Sequence, residues 1–376
     1  MDLSDFKVAV DDWLDAHEDE LACDYVGVGT LDEQMAQLRK VMRLTYDAGF
    51  MRMGWPARVG GFGGSNLLRA YLGETLTARD LVEPGIYSMP EVLAPTMIDY
   101  APPDLAAEMV PRLLRGEEIW CQGFSEPGTG SNLGSLSCRA TRTADGWRID
   151  GQKVWTSLAQ YAQRCVLLTR TGSPESAHKG ITALFVDMDS AGITVRPILT
   201  MHGAREFCEV FFDGVRVPLD RVLGAENQGW SIAMDLLPYE RSTALWHRAA
   251  YLQRRLEQLV SLAPAGGLDP GALGEATQLL WAFRARSRAT QRRLAAGETL
   301  GAETSVDKVL VATAEQAVFD LVAEGLGAEV VLGDDPVSQR WRAEYLYSRA
   351  ATIYGGSAEI QRNIIARRLL DLGDDR

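Results

Sequence analysis

The sequence predicts an α+β protein in three parts: helices over residues 1–117, a compact antiparallel barrel over 118–222, and helices again over 223–376. Two observations predict it. The spacing of apolar residues changes near Glu118 from every third and fourth position to alternation, and returns to the helical period beyond Pro218. With 46% hydrophobic and 24% charged residues and only 15 prolines in 376, the chain is also apolar enough for a large core and too ordinary for disorder.

In the first part, Met35, Leu38, Val41 and Met42, and then Leu67, Tyr71, Leu72 and Leu76, mark amphipathic helices. Between them the glycine-rich stretch from Gly54 to Ser65 forbids a helix, and Ser65 is placed to cap the next one. A second helical pair follows, separated by Pro102-Pro103. In the barrel, strands read out of Arg139–Thr143, Trp147–Gly151, Val154–Thr156, Cys165–Thr169, Ile181–Val186, Ile193–Pro197 and Glu209–Val217. The Asp145-Gly146 and Asp150-Gly151 pairs predict hairpin turns. The last part predicts helices near 227–262, 270–296, 303–327, 338–353 and 358–371, with loops at Ala263–Gly271 and Gly333–Pro336.

A net charge of −13 argues against nucleic acid and anionic membrane surfaces as partners. Five scattered cysteines without a C-x-x-C pair, and four histidines, predict neither a disulfide framework nor a metal site. Acidic residues stand near the N-terminus where a signal peptide is basic, and no apolar run approaches the ~18 residues of a membrane span, so a cytoplasmic location is expected.

Two segments carry candidate chemistry. Phe124-Ser125-Glu126-Pro127-Gly128-Thr129-Gly130-Ser131-Asn132 lies where helices give way to strands, and its glycines allow backbone N–H groups to approach a cofactor's polar edge or phosphate. Gly151-Gln152-Lys153-Val154-Trp155-Thr156-Ser157 ends a strand on an indole beside two hydroxyls, a shelf for a flat heteroaromatic ring. Taken singly, each is read as readily as a connector without a ligand and as a core tryptophan.

Together with the loop from Gly54 to Ser65 and Tyr354-Gly355-Gly356-Ser357-Ala358-Glu359-Ile360-Gln361-Arg362, these segments resemble the acyl-CoA dehydrogenase family of flavoproteins, of actinobacterial type, over nearly the whole chain. The resemblance implies an N-terminal helical bundle, a central antiparallel β-barrel and a C-terminal four-helix bundle. It implies FAD as cofactor, with Phe124 and Ser125 at the flavin ring edge, Gly130 in the same loop, Ser131 at the pyrophosphate, and Trp155, Thr156 and Ser157 at the ring face and N5 side. Ser131, Arg241 and Tyr354 are expected to contact the substrate.

One branch of the family carries its catalytic glutamate directly after the tyrosine of the C-terminal motif, where this chain has Gly355. Glu240 is the expected base instead. It stands four residues after Leu236, three after Leu237 and four before Ala244, on an apolar helical stripe where a carboxylate is costly unless used or paired. Isovaleryl- and long-chain-type relatives place their base on this helix directly before an arginine, as in Glu240-Arg241. The implied reaction converts an acyl-CoA thioester to its trans-2-enoyl-CoA, with the α-proton going to Glu240 and the β-hydride to flavin N5. The thioester oxygen would be held by a ribityl hydroxyl and the backbone N–H of Gly355.

Some family features are missing. The Arg-x-x-Phe-Gly and Gln-x-x-Gly-Gly segments that reach a neighbouring subunit's FAD are absent, and Asn132 replaces a usual aspartate. Lys308 is read as a solvated helix residue rather than a replacement cation. The expected partners are an acyl-CoA, an electron-transfer flavoprotein, and further subunits in a homo-oligomer or an α2β2 hetero-oligomer with a related chain. Two other readings stay open: a non-catalytic half-site subunit, and an oxygen-using oxidase or monooxygenase on the same fold.

Overall fold

The computed structural model describes residues 1–25, 27–241, 243–263 and 267–373. Its first part comprises α1 (Leu3–Ala16), α2 (Glu18–Leu21), α3 (Leu31–Asp47), α4 (Asn66–Ala78), α5 (Pro84–Tyr87), α6 (Met89–Tyr100) and α7 (Pro103–Leu114). Thr30 and Glu33 close a reciprocal capping box on α3, and Ser65 Oγ accepts the Leu67 N–H to start α4. The α3 stripe of Met35, Leu38, Val41 and Met42 is buried as expected. On α4 the buried stripe is Leu68, Leu72 and Leu76, while Leu67 and Tyr71 stay half-buried.

The central part is one sheet of β1 (Trp120–Gly123), β2 (Arg139–Arg142), β3 (Gly146–Ser157), β4 (Arg164–Arg170), β5 (Ile181–Asp187), β6 (Ile193–Ile198), β7 (Phe207–Pro218) and β8 (Val222–Leu223). The strand order is β6-β7-β3-β2-β4-β5-β8, with β1 also on β4. Neighbours run antiparallel, except that β4 pairs in parallel with β1 and briefly with β2. Val166, Leu168, Ala183 and Phe185 face the N-terminal helices, whereas Cys165, Leu167, Leu184 and Val186 pack into the sheet's own core with Trp147 and Val210. Because both faces of β4 and β5 are covered, these strands read as unbroken apolar runs.

Asp145-Gly146 makes the expected β2–β3 hairpin, but Asp150-Gly151 does not turn. It forms a bulge opposite β7, so two expected short strands are one long one. Gly151, at φ +145°, runs so close to β2 that a methyl group on it would lie 2.7 Å from Cys138 Cα. Asp150 Oδ1 accepts the Gly214 N–H across the bulge at 2.9 Å.

The last part holds α8 (Gly229–Glu240), α9 (Thr243–Leu262), α10 (Pro270–Ala295), α11 (Thr304–Leu326), α12 (Ala328–Leu332), α13 (Pro336–Ser348) and α14 (Ala358–Arg368). The single helix expected over 227–262 is thus two. Pro238 lies in the last turn of α8, and beyond it the Arg241 N–H still bonds the Leu237 carbonyl at 3.1 Å as the helix closes. The break has a packing consequence. Ile232, Ala233 and Leu236 of α8 complete the N-terminal core, while α9, α10, α11 and α13 build a separate core around Leu252, Phe283, Val318 and Trp341. Of the loop expected at 263–271, residues 264–266 lie outside the described residues.

Candidate active site

The loop from Phe124 to Asn132 is fastened by a buried ion pair. Glu126 accepts from Ser137 N at 2.7 Å, Ser137 Oγ at 2.7 Å, Cys138 N at 2.8 Å and Lys153 Nζ at 2.8 Å. Lys153 Nζ also donates to Phe124 O at 3.0 Å. Burial works to raise the Glu126 carboxyl, but the ammonium and the hydrogen bonds outweigh it and hold the group below its ordinary value. Beyond this anchor, Gly128, Gly130, Ser131 and Asn132 are exposed, and side chains placed on Gly128 or Gly130 would meet nothing within 4 Å. The loop therefore presents an open backbone surface.

Val154 N–H donates to Ser125 O at 2.9 Å, which sets the tryptophan segment beside this loop. A second bulge in β3 puts Trp155 at φ +60°, unusual for an aromatic residue, and turns its indole outward with 57% of its surface exposed. The indole meets Phe207 edge-on at 6.1 Å. Thr156 is buried, and its Oγ1 has no hydrogen-bond partner among the described residues, while Ser157 is half-buried. An exposed indole, a half-buried Ser157 hydroxyl two residues on and an open glycine loop fit a flat heteroaromatic group with polar edges.

Glu240 ends α8 half-buried, with its carboxylate turned towards β1 and the C-terminal motif. Gln122 Nε2 donates to Glu240 Oε2 at 3.2 Å. A methyl group on Gly355 would lie 3.2 Å from Glu240 Oε1, so the structure brings together the two positions expected to compete for the base. Gly355 sits at φ +62°, and Arg241 Nε donates to its carbonyl at 3.1 Å. Arg241 thus touches the motif backbone. The Tyr354 hydroxyl donates to Glu315 Oε2 at 3.4 Å, and Glu315 in turn binds Arg248 through bonds of 2.9 and 2.7 Å.

The expectation for Lys308 is corrected. It is 2% exposed, not solvated, because α11 runs through the middle of the C-terminal bundle. Its Nζ donates to Ala351 O at 2.6 Å and lies 4.0 Å from the centre of the Tyr354 ring. One further site residue and one buried pair escaped sequence reasoning. Gln122 is a polar residue in an otherwise apolar strand, the only signal it gave. Lys153 and Glu126 lie 27 positions apart and gave none as a pair. Among the described residues no group of three or more His, Cys, Asp or Glu could hold a metal, and no helix is long and apolar enough to cross a membrane.

Helical parts before and after a sheet that carries an open glycine loop and an outward-turned indole suit a flavin-dependent oxidoreductase. Family models match along the chain: acyl-CoA dehydrogenase N-terminal domain at 19–117, middle domain at 121–215 and C-terminal domain at 227–370. The chain belongs to the acyl-CoA dehydrogenase family. It is 35% identical to acyl-CoA dehydrogenase IpdE1 of Mycobacterium tuberculosis, covering 99% of this chain and 98% of that one. It is also 35% identical to acyl-CoA dehydrogenase FadE34 of the same organism, over 94% of this chain and 48% of the relative. Among solved structures, the Tcur3481-Tcur3483 steroid acyl-CoA dehydrogenase superposes with a TM-score of 0.82 at 27% identity, covering 99% of this chain and 96% of that one. The ChsE4-ChsE5 complex from Mycobacterium tuberculosis shares the fold, with a TM-score of 0.77 at 24% identity and 99% and 98% coverage.

Proposed function

We propose that this chain catalyses the FAD-dependent α,β-dehydrogenation of an acyl-CoA thioester, with Glu240 as the base. The observation that carries this reading is the approach of Glu240 Oε1 to Gly355, with Gln122 holding the other carboxylate oxygen. In a family that needs one carboxylate at this centre, the acid missing at position 355 is replaced from the opposite side.

Phe124, Ser125, Gly130, Ser131, Trp155, Thr156 and Ser157 would hold FAD, Thr156 from the buried strand behind the indole. When bound there, the flavin supplies the two-electron acceptor for the substrate's β-hydride. Glu240 takes the α-proton, and Gln122 keeps the carboxylate aimed. The Gly355 N–H donates to the thioester oxygen, in a backbone fixed by Arg241. Ser131 reaches the ligand from the exposed loop, and Tyr354 borders the acyl group.

The 27% identical Tcur3481-Tcur3483 steroid acyl-CoA dehydrogenase supports a steroid-derived acyl group, and its paired name supports a related chain as partner in an α2β2 assembly. We assign electron delivery to an electron-transfer flavoprotein. The five free thiols suit a reducing cytoplasm.

Glu240→Gln tests the reading. The variant keeps its flavin spectrum, and reduction by an acyl-CoA that bleaches the wild type slows ~10²–10⁴-fold in rapid mixing. Reduction at the wild-type rate overturns the assignment.

A further inference from the structure

A carboxylate and a lysine converge on the place a side chain at Gly355 would take. A methyl group there would stand 3.2 Å from Glu240 Oε1 and 3.4 Å from Lys308 Cε, so only the missing side chain of a glycine leaves room for the acid and the lysine stem together. Lys308 has little other reason to be there. It is 2% exposed, its hydrogen bond goes to the neutral carbonyl of Ala351, and its ammonium rests on the Tyr354 ring. A buried cation is costly unless a negative charge accompanies it. Glu315 of its own helix, which acts on it ahead of Glu240, is shared with Arg248 through two hydrogen bonds.

We propose that Lys308 is a positioning residue for the dehydrogenation: its ammonium is the counter-charge that holds the Glu240 carboxylate aimed beside Gly355. This rests on the reading of Glu240 as base. The groups facing Lys308 are Glu315 of α11, Glu240 at the end of α8 and Arg241 just after it, Arg248 of α9 and the Tyr354 ring, so two carboxylates oppose two guanidiniums. Asp307, beside it in the chain, bonds Arg286 and Thr290 of α10 instead. Burial pushes the Lys308 ammonium down to about 8, with Glu315 and Glu240 acting against that fall. The cation is therefore present at neutral pH and is lost as pH rises through about 8.

The test uses the flavin-loaded protein, with its partner subunit if it purifies with one. Flavin reduction by a thioester that bleaches the wild type is followed against pH in Lys308→Met, Lys308→Gln and Lys308→Arg. Gln preserves a donor for Ala351, and Arg preserves the charge. The expected result is a loss of ~10-fold or more in both neutral variants at neutral pH, an acid limb moved upward by about one unit, and substantial rescue by Arg. A merely structural lysine would lower the rate equally at every pH and would be rescued by Gln; that result overturns the proposal. Thermal melting of Glu240→Gln, Lys308→Gln and the double variant gives a readout free of turnover. The Lys308→Gln loss should shrink when Glu240 is already neutral, and strict additivity counts against the pair. If no thioester bleaches the wild type, the dehydrogenase reading fails, while the melting cycle still decides whether Lys308 answers the charge of Glu240.

Discussion

Position 355 favours glycine. A methyl group there would crowd Glu240 Oε1 at 3.2 Å and Lys308 Cε at 3.4 Å, on a backbone at φ +62°. Gly355→Ala should therefore cost about 1–3 kcal/mol in chemical denaturation and slow flavin reduction while leaving the flavin bound. Wild-type stability and rate together would show that the spacing is not what this glycine provides. Trp155 is the opposite case, a large residue that the fold itself hardly uses. With its indole 57% exposed, Trp155→Ala should leave the melting temperature of the flavin-free protein nearly unchanged but lower flavin occupancy, since stacking is worth roughly 1 kcal/mol. Unchanged occupancy by absorbance would remove it from the site.

Among the elements, the loop from Phe124 to Asn132 depends on a pair that local pattern did not reveal. Side chains of Glu126 and Lys153 are 5% and 0% exposed, and both are hydrogen-bonded to the loop or to the strand behind it. Glu126→Gln leaves the ammonium buried and uncompensated. Breaking such a pair costs about 3–5 kcal/mol, so denaturant unfolding should shift strongly and the flavin should be lost with the loop's shape. A small shift with retained flavin would mean that water reaches Lys153. The break between α8 and α9 belongs to this scale as well. It lets α8 complete the N-terminal core while its last residue, Glu240, turns towards Gln122 and Gly355.

Across the whole molecule, His247 of α9 is pressed between the two helical parts. It is fully buried, lies 5.2 Å from the Tyr87 ring centre, and packs so tightly on α4 that a methyl group on Gly73 would overlap it. Burial pushes its imidazole from 6.5 down to about 4, with Arg69 adding to the fall and Glu74 opposing it. The folded protein thus keeps a neutral ring where the unfolded chain takes up a proton. Stability from this group is complete above 6.5 and falls as pH drops towards about 4. The denaturation midpoint should decline over that window, and His247→Leu should flatten the decline; an unchanged slope would place the acid sensitivity elsewhere. The C-terminal helices also expose Leu262, Trp281, Val331 and Leu332, each more than half accessible. Light scattering of the flavin-loaded protein should accordingly give at least twice the chain mass, and a fully loaded monomer would refute the expected assembly.

What the sequence settled by itself is what neighbouring residues encode. The two changes of hydrophobic period fixed the order of helices, sheet and helices, because a strand repeats every two residues and a helix every 3.6. The same spacing singled out Glu240 as the candidate base, and the glycine at 355 left that position without an acid. What only the tertiary structure decided depends on partners far apart in the chain. Glu240 meets Gln122 from 118 positions away, and Lys308 meets the Ala351 carbonyl from 43 away. Local period told that α11 has an apolar face, but not that the bundle would close over its lysine. Asp150-Gly151 shows the same limit: it has the residues of a turn, yet its pairing with β7 across the sheet outweighs that preference and holds the strand straight through a bulge.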